Sequence, residues 1–163
     1  MERTLNALEA FILGVIVAGA LSIQFFMHEK PCPLCLLQRL AMICIGASVL
    51  LNTKYGPEKK HYGLALLSAI FGGFIALRQI ALHACPGFPK FGVPFWGLSL
   101  YTWSFIIFAS TVAFNGLLLF FFKRKKLVTP MNWFGHLVFW LLIVVSLINI
   151  AGTIAECGFG PCA

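Results

Sequence analysis

Apolar residues gather along this chain into five long runs, at 10–27, 36–51, 62–82, 98–122 and 135–155, separated by short polar stretches. A transmembrane helix needs about 20 such residues. The second run is short and is expected to begin inside the CPLC stretch before it; the others fit. Hydrocarbon tolerates no open strand edge, so the runs are predicted to be helices. Isolated Gly, Ser and Asn within them suit close helix packing. The pattern predicts an all-α, polytopic membrane bundle forming one domain, without linker, repeat or low-complexity tract. The first run is flanked weakly by Glu2, Arg3 and Glu9 and contains "GALS". Because four further spans follow, it is expected to be a retained helix and not a cleaved signal peptide.

Composition agrees with lipid exposure. Of 163 residues, 60% are hydrophobic and 10% charged, whereas soluble domains sit near 45–50% apolar. The net charge of +7 is concentrated in flanks. Lys54, Lys59 and Lys60 follow the second run, and Lys123, Arg124, Lys125 and Lys126 follow the fourth. With five spans, both segments share a side with the N-terminus, and the positive-inside bias makes that side cytoplasmic. The opposite side carries Lys30, Arg39, Arg78 and Lys90. "KRKK" is therefore read as an orienting flank touching anionic lipid, not as a nucleic-acid patch. Trp133 and Phe134 suit the interfacial aromatic belt. The expected location is a bacterial inner membrane, N-terminus cytoplasmic and C-terminus periplasmic.

This orientation sorts the cysteines. Cys32 and Cys35 fall in the outer segment 28–35, Cys85 in the outer loop 83–97, and Cys157 and Cys162 in the tail 156–163. Cys44 lies mid-span and reads as a small buried hydrophobe. The face that collects the sulfurs is the oxidising one. Cys32 and Cys35 can close a small-ring disulfide, and such pairs have depressed thiol pKa values. A helix starting between them would favour a thiolate through its unpaired N–H groups and its dipole. Pro33 fits such a start, and Pro31 pushes Lys30 toward extended geometry. Arg39, four residues after Cys35, shares its helical face. It stays charged, its stem can snorkel, and its cation can stabilise a thiolate or the partly anionic oxygen of an electron acceptor. Gln38 adds a neighbouring donor on another face. The rival readings of CxxC are a zinc site, which needs about four ligands, and a static disulfide.

The loop "HACPGFPKFGVPFWG" at 83–97 holds three prolines and four large aromatics, and is expected to lie along the membrane surface. In the tail "ECGFGPCA", Gly158 and Gly160 make the link between Cys157 and Cys162 flexible enough to close. Three sulfurs thus accompany the CPLC pair, an odd count that suits exchange. Their pairing stays open. His28 and His83, near the outer interface, are candidates for proton relay or small-ligand contact. Arg78 and Gln79 either border a ligand pocket or pin the helices. Asn115, Asn149 and His136 are assigned to helix packing.

"PCPLCLLQR" at 31–39, "ALRQIAL" at 76–82 and "GLSLYTW" at 97–103 resemble the disulfide bond formation protein B (DsbB) family. The resemblance implies a four-helix membrane enzyme that reoxidises a thioredoxin-like periplasmic dithiol protein and passes electrons to a quinone, ubiquinone or menaquinone. It implies that Cys32 and Cys35 are the quinone-proximal pair and that Arg39 lies beside the quinone. The chain departs from the family in having only Cys85 in the loop before the fourth span, and in adding a fifth span with a terminal cysteine pair. Cys157 or Cys162 is expected to supply the missing partner. The rival functions are a scaffold or assembly factor with structural disulfides, and electron transfer in reverse. The absence of a cysteine on the inner side weighs against the latter.

Overall fold

The computed structural model describes residues 2–27, 32–84, 95–122 and 131–158. They form α1 (Glu2–Met27), α2 (Pro33–Tyr55), α3 (Lys59–Ala84), α4 (Leu100–Phe120) and α5 (Trp133–Cys157). Each is long and apolar enough to cross a membrane. The protein is an all-α, polytopic membrane bundle with a fifth spanning helix. α2 starts at Pro33, inside the CPLC stretch as the short second run predicts: proline at the first helical position lacks only an N–H that would be unpaired anyway.

Alternating helix direction follows from the contacts at the two ends. At the lysine end, the Arg3 guanidinium donates to Thr53 O at 2.6 Å. Asn6 Nδ2 donates to the Tyr62 hydroxyl at 2.9 Å, and Asn52 Oδ1 lies 2.8 Å from His61 Nδ1. These buried polar groups join α1, α2 and α3 where the α2–α3 turn is tightest. Gly56 makes that turn at φ 97°, a conformation that side chains oppose. Tyr62 meets Phe122 edge-on at 6.3 Å, so α4 finishes at this end.

Helix contact in lipid is driven by close van der Waals packing and interhelical hydrogen bonds, since lipid tails are as apolar as the side chains. Phe108 of α4 is buried against Gly72 of α3, where a Cβ would come within 2.4 Å of its ring. Asn115 Nδ2 donates to Glu9 Oε1 at 2.5 Å, tying α4 to α1. α5 packs on α1 and α2: Leu141 lies against Gly14, Leu142 against Gly46, and Gly152 against Phe25 near the end of α1. α5 therefore runs parallel to α1 and finishes at the end where α2 begins. Cys44 differs from expectation. It is exposed on α2 and not buried, because its helical position turns away from α1, α3 and α5 toward lipid.

Candidate functional site

The site is built at the cysteine end, where α1 and α3 finish and α2 and α4 begin. Cys32 is the N-cap of α2, with extended backbone (φ −68°, ψ 136°). Its carbonyl accepts the first helical bond, from Leu36 N at 3.1 Å. Cys35 follows one turn inside. Both are free thiols in this structure and partly buried. The Cys32 thiol is lowered to about 5 from its ordinary 9.0. The chief cause is a hydrogen bond from the Cys35 thiol. The backbone N–H groups of Leu34 and Cys35 and the charge of His83 add to it, and partial burial opposes it. Helix-terminal donors favour the anion here as they do at other helix N-termini.

Three glutamines organise the polar atoms. Gln79 of α3 is fully buried. Its Nε2 stands 3.4 Å from Cys35 Sγ and 3.9 Å from Cys32 Sγ. Its Oε1 accepts from Gln38 Nε2 at 2.7 Å. The α2 amide thus orients the α3 amide, which presents its donor to both sulfurs. Arg39 points the other way, donating to Gln24 Oε1 and, at 3.1 Å, to Ala20 O of α1. Gln24 Nε2 is buried and has no partner among the described residues. His83 Nδ1 donates to Gln79 O at 2.8 Å, and its ring stacks on Tyr101 at 5.0 Å.

These groups surround a cavity of ≈ 380 Å³, within the range of small-ligand sites. Cys32, Cys35, Gln38 and Arg39 line it together with Gln24 and Gln79. Ile16, Ile23, Met42, Leu100 and Ile107 give it apolar walls, and Tyr101 and Trp103 form the α4 side. A tight turn before α4 places Phe95 at its edge. Phe95 and Leu98 exchange bonds at 2.9 and 3.2 Å. Between them Trp96 (φ 51°) and Gly97 (φ 77°) are left-handed, which Gly97 accepts freely and Trp96 does not. Trp103 Nε1 donates to Phe95 O at 2.9 Å and holds the turn.

Five residues singled out in the sequence therefore meet here: Cys32, Cys35, Gln38, Arg39 and Gln79. Arg78 does not join them. It is exposed on α3 and is not among the cavity's lining residues, because it precedes Gln79 by about 100° around the helix. Cys157 is the last residue of α5. His28, Cys85 and Cys162 lie outside the described residues. Sequence reasoning passed over Gln24 and Tyr101. A lone amide within "LSIQFF" was the available signal for Gln24, since polar side chains are costly in a span without a partner.

The fold and site thus define a class: a membrane helical bundle with a CxxC at a helix start, whose two thiols and Arg39 line one mainly apolar cavity. The sequence model of the family "Disulfide bond formation protein DsbB" matches residues 2–90, more than half of the chain, and the chain belongs to that family. Disulfide bond formation protein B of Chromobacterium violaceum is 39% identical over 74 residues, covering 43% of this chain and 45% of that one. Its namesake from Aromatoleum aromaticum is 32% identical over 101 residues, covering 56% and 60%. Disulfide bond formation protein B 2 of Burkholderia lata is 38% identical over 74 residues, covering 45% and 44%. The chain thus spans about half the length of the curated relatives it matches. No solved structure matches it. The matched stretch supplies α1, α2 and α3, and with them every sulfur and amide of the cavity; α4 and α5 lie beyond it.

Proposed function

We propose that the protein is a quinone-dependent thiol oxidase of a bacterial inner membrane that reoxidises a thioredoxin-like dithiol protein of the periplasm. The observation that carries this reading is the shared cavity: both sulfurs of the CxxC and the Arg39 guanidinium line a single, mainly apolar chamber at one end of the bundle. Its size, apolar walls and cationic rim fit a quinone ring. When bound, a quinone supplies the acceptor for two electrons and two protons, which sulfur alone cannot discharge.

The chain's residues divide the work by position. A partner dithiol is oxidised by exchange, in which a thiolate attacks a disulfide sulfur and displaces the other. The net reaction moves two electrons and two protons from the partner to Cys32 and Cys35. Cys32 is the more exposed participant, at the helix cap, and its thiolate is the nucleophile that closes the Cys32–Cys35 bond again. Closing that bond oxidises both sulfurs and releases two electrons and two protons beside Cys35, to be taken up by a quinone held in the cavity. Arg39 holds its charge where negative charge develops on the acceptor, and the apolar walls exclude water. The proposed entry disulfide for the partner is drawn from the Cys85, Cys157 and Cys162 sulfurs. α5 is the element that brings Cys157 to the cysteine end, and the N-terminus is on the cytoplasmic side.

Purified protein, a reduced thioredoxin-like protein and a short-chain quinone test the reading by the loss of quinone absorbance. Turnover is expected, with none after Cys32→Ser or Cys35→Ser. Normal turnover in both variants sinks the assignment. A scaffold with structural disulfides would reduce no quinone at all.

A further inference from the structure

Gln24 is 4% exposed near the end of α1, and its two amide atoms can be told apart. Arg39 carries only donors and bonds one of them, which must therefore be Oε1. The other, Nε2, is buried without a partner among the described residues, in a side chain that lines the cavity. Leaving a buried N–H without an acceptor is costly, and buried polar groups are rarely left so. The neighbouring amides offer no relief. Gln79 Oε1 is taken by Gln38 Nε2, and Gln79 Nε2 faces the sulfurs. The other walls are mainly apolar, and the Tyr101 and Ser104 hydroxyls of α4 make no hydrogen bond to Gln24 Nε2. Since no described residue supplies it, an occupant of the cavity is the acceptor that Gln24 is placed to meet.

We propose that Gln24 Nε2 donates a hydrogen bond to a ring carbonyl oxygen of the quinone, beside Arg39, so that α1 recognises the acceptor as well as α2. This rests on the quinone-oxidase reading and adds a ligand-specifying residue to it. One amide then has two duties. Its oxygen aims Arg39, and its nitrogen reads a carbonyl oxygen on the same side of the cavity. Both donors gain strength as negative charge builds on that oxygen. The ligand class follows: a ring with an unhindered carbonyl acceptor, not an apolar hydrocarbon of the same size.

The test is direct binding, without turnover. A short-chain ubiquinone is titrated into the full chain in detergent and followed by quenching of tryptophan fluorescence, to which Trp103 of the cavity contributes. Gln24→Leu removes both duties. Gln24→Glu keeps an acceptor for Arg39 and removes the N–H groups. Thermal transitions recorded alongside check that each variant folds, and Gln24→Glu decides alone if Gln24→Leu does not. Both variants are expected to bind about tenfold more weakly. Wild-type affinity in Gln24→Glu, with or without loss in Gln24→Leu, overturns the proposal and reduces Gln24 to a support for Arg39. Failure of the unaltered protein to bind removes the quinone reading itself, and this inference with it.

Discussion

Cys32 and Cys35 are three positions apart, yet one caps a helix and the other stands a turn inside it beneath a buried amide. The hydrogen bond from the Cys35 thiol, helped by the backbone N–H groups at the cap position, lowers the Cys32 thiol to about 5. The folded value lies below the ordinary one. Ionisation of Cys32 therefore stabilises the reduced fold fully above about pH 9, and this contribution is lost as pH falls through about 5. Iodoacetamide labelling of the reduced protein, mapped by peptide, is expected to show Cys32 reacting at a nearly constant rate from pH 8 down to about 6. Its midpoint should lie near 5; a midpoint near 8.5, the value of a free cysteine, contradicts the assignment. Arg39→Met is expected to raise the quinone KM about tenfold or more, since a charged hydrogen bond contributes roughly 1.5–3 kcal/mol. An unchanged quinone dependence removes Arg39 from the site. These residues were legible because the chemistry of Cys and Arg at spacings of three and four is distinctive. Arg78 was not, because apolar residues on every side of a lipid-facing helix hide which way a side chain turns.

The five helices could be read from run length alone, because lipid fixes both the length and the internal bonding of a span. Their packing could not. Gly72 and Gly63 look alike in sequence, both interrupting the apolar run of α3. A Cβ on Gly72 would lie 2.4 Å from the Phe108 ring and 2.9 Å from Ala41 Cβ, whereas one on Gly63 meets nothing within 4 Å. Gly72→Ala is therefore expected to destabilise the bundle by about 1–3 kcal/mol through overpacking. Gly63→Ala should be neutral or stabilising by up to about 1 kcal/mol. Thermal unfolding in detergent compares the two, and equal transitions would show that α3 does not meet α4 as described. The start of α2 at Pro33 was anticipated in kind, since proline before the run marked a helix entry.

At the scale of the whole molecule, α5 has the greatest consequence. It lies along α1 in the same direction, with Gly152 against Phe25, and so ends where Cys32 begins α2. A membrane-impermeant thiol reagent is expected to label Cys32 and Cys157 from the periplasmic side in intact cells. Labelling of either only after the inner membrane is opened contradicts the orientation. The alternation of helices and the cationic flanks were readable in sequence. The partner of each outer sulfur was not, because pairing depends on where loops lie over the packed helix ends.

Transfer of electrons from the CPLC pair to a quinone is the central step of the proposed oxidase, and a single anaerobic turnover measures that step alone. Fully reduced protein is mixed with one equivalent of short-chain quinone. Quinone absorbance and the Cys32 and Cys35 thiols are then followed in the same samples. One quinol is expected per Cys32–Cys35 disulfide, appearing at the same rate. Thiols that persist beside unreduced quinone, or that disappear without quinol, contradict it.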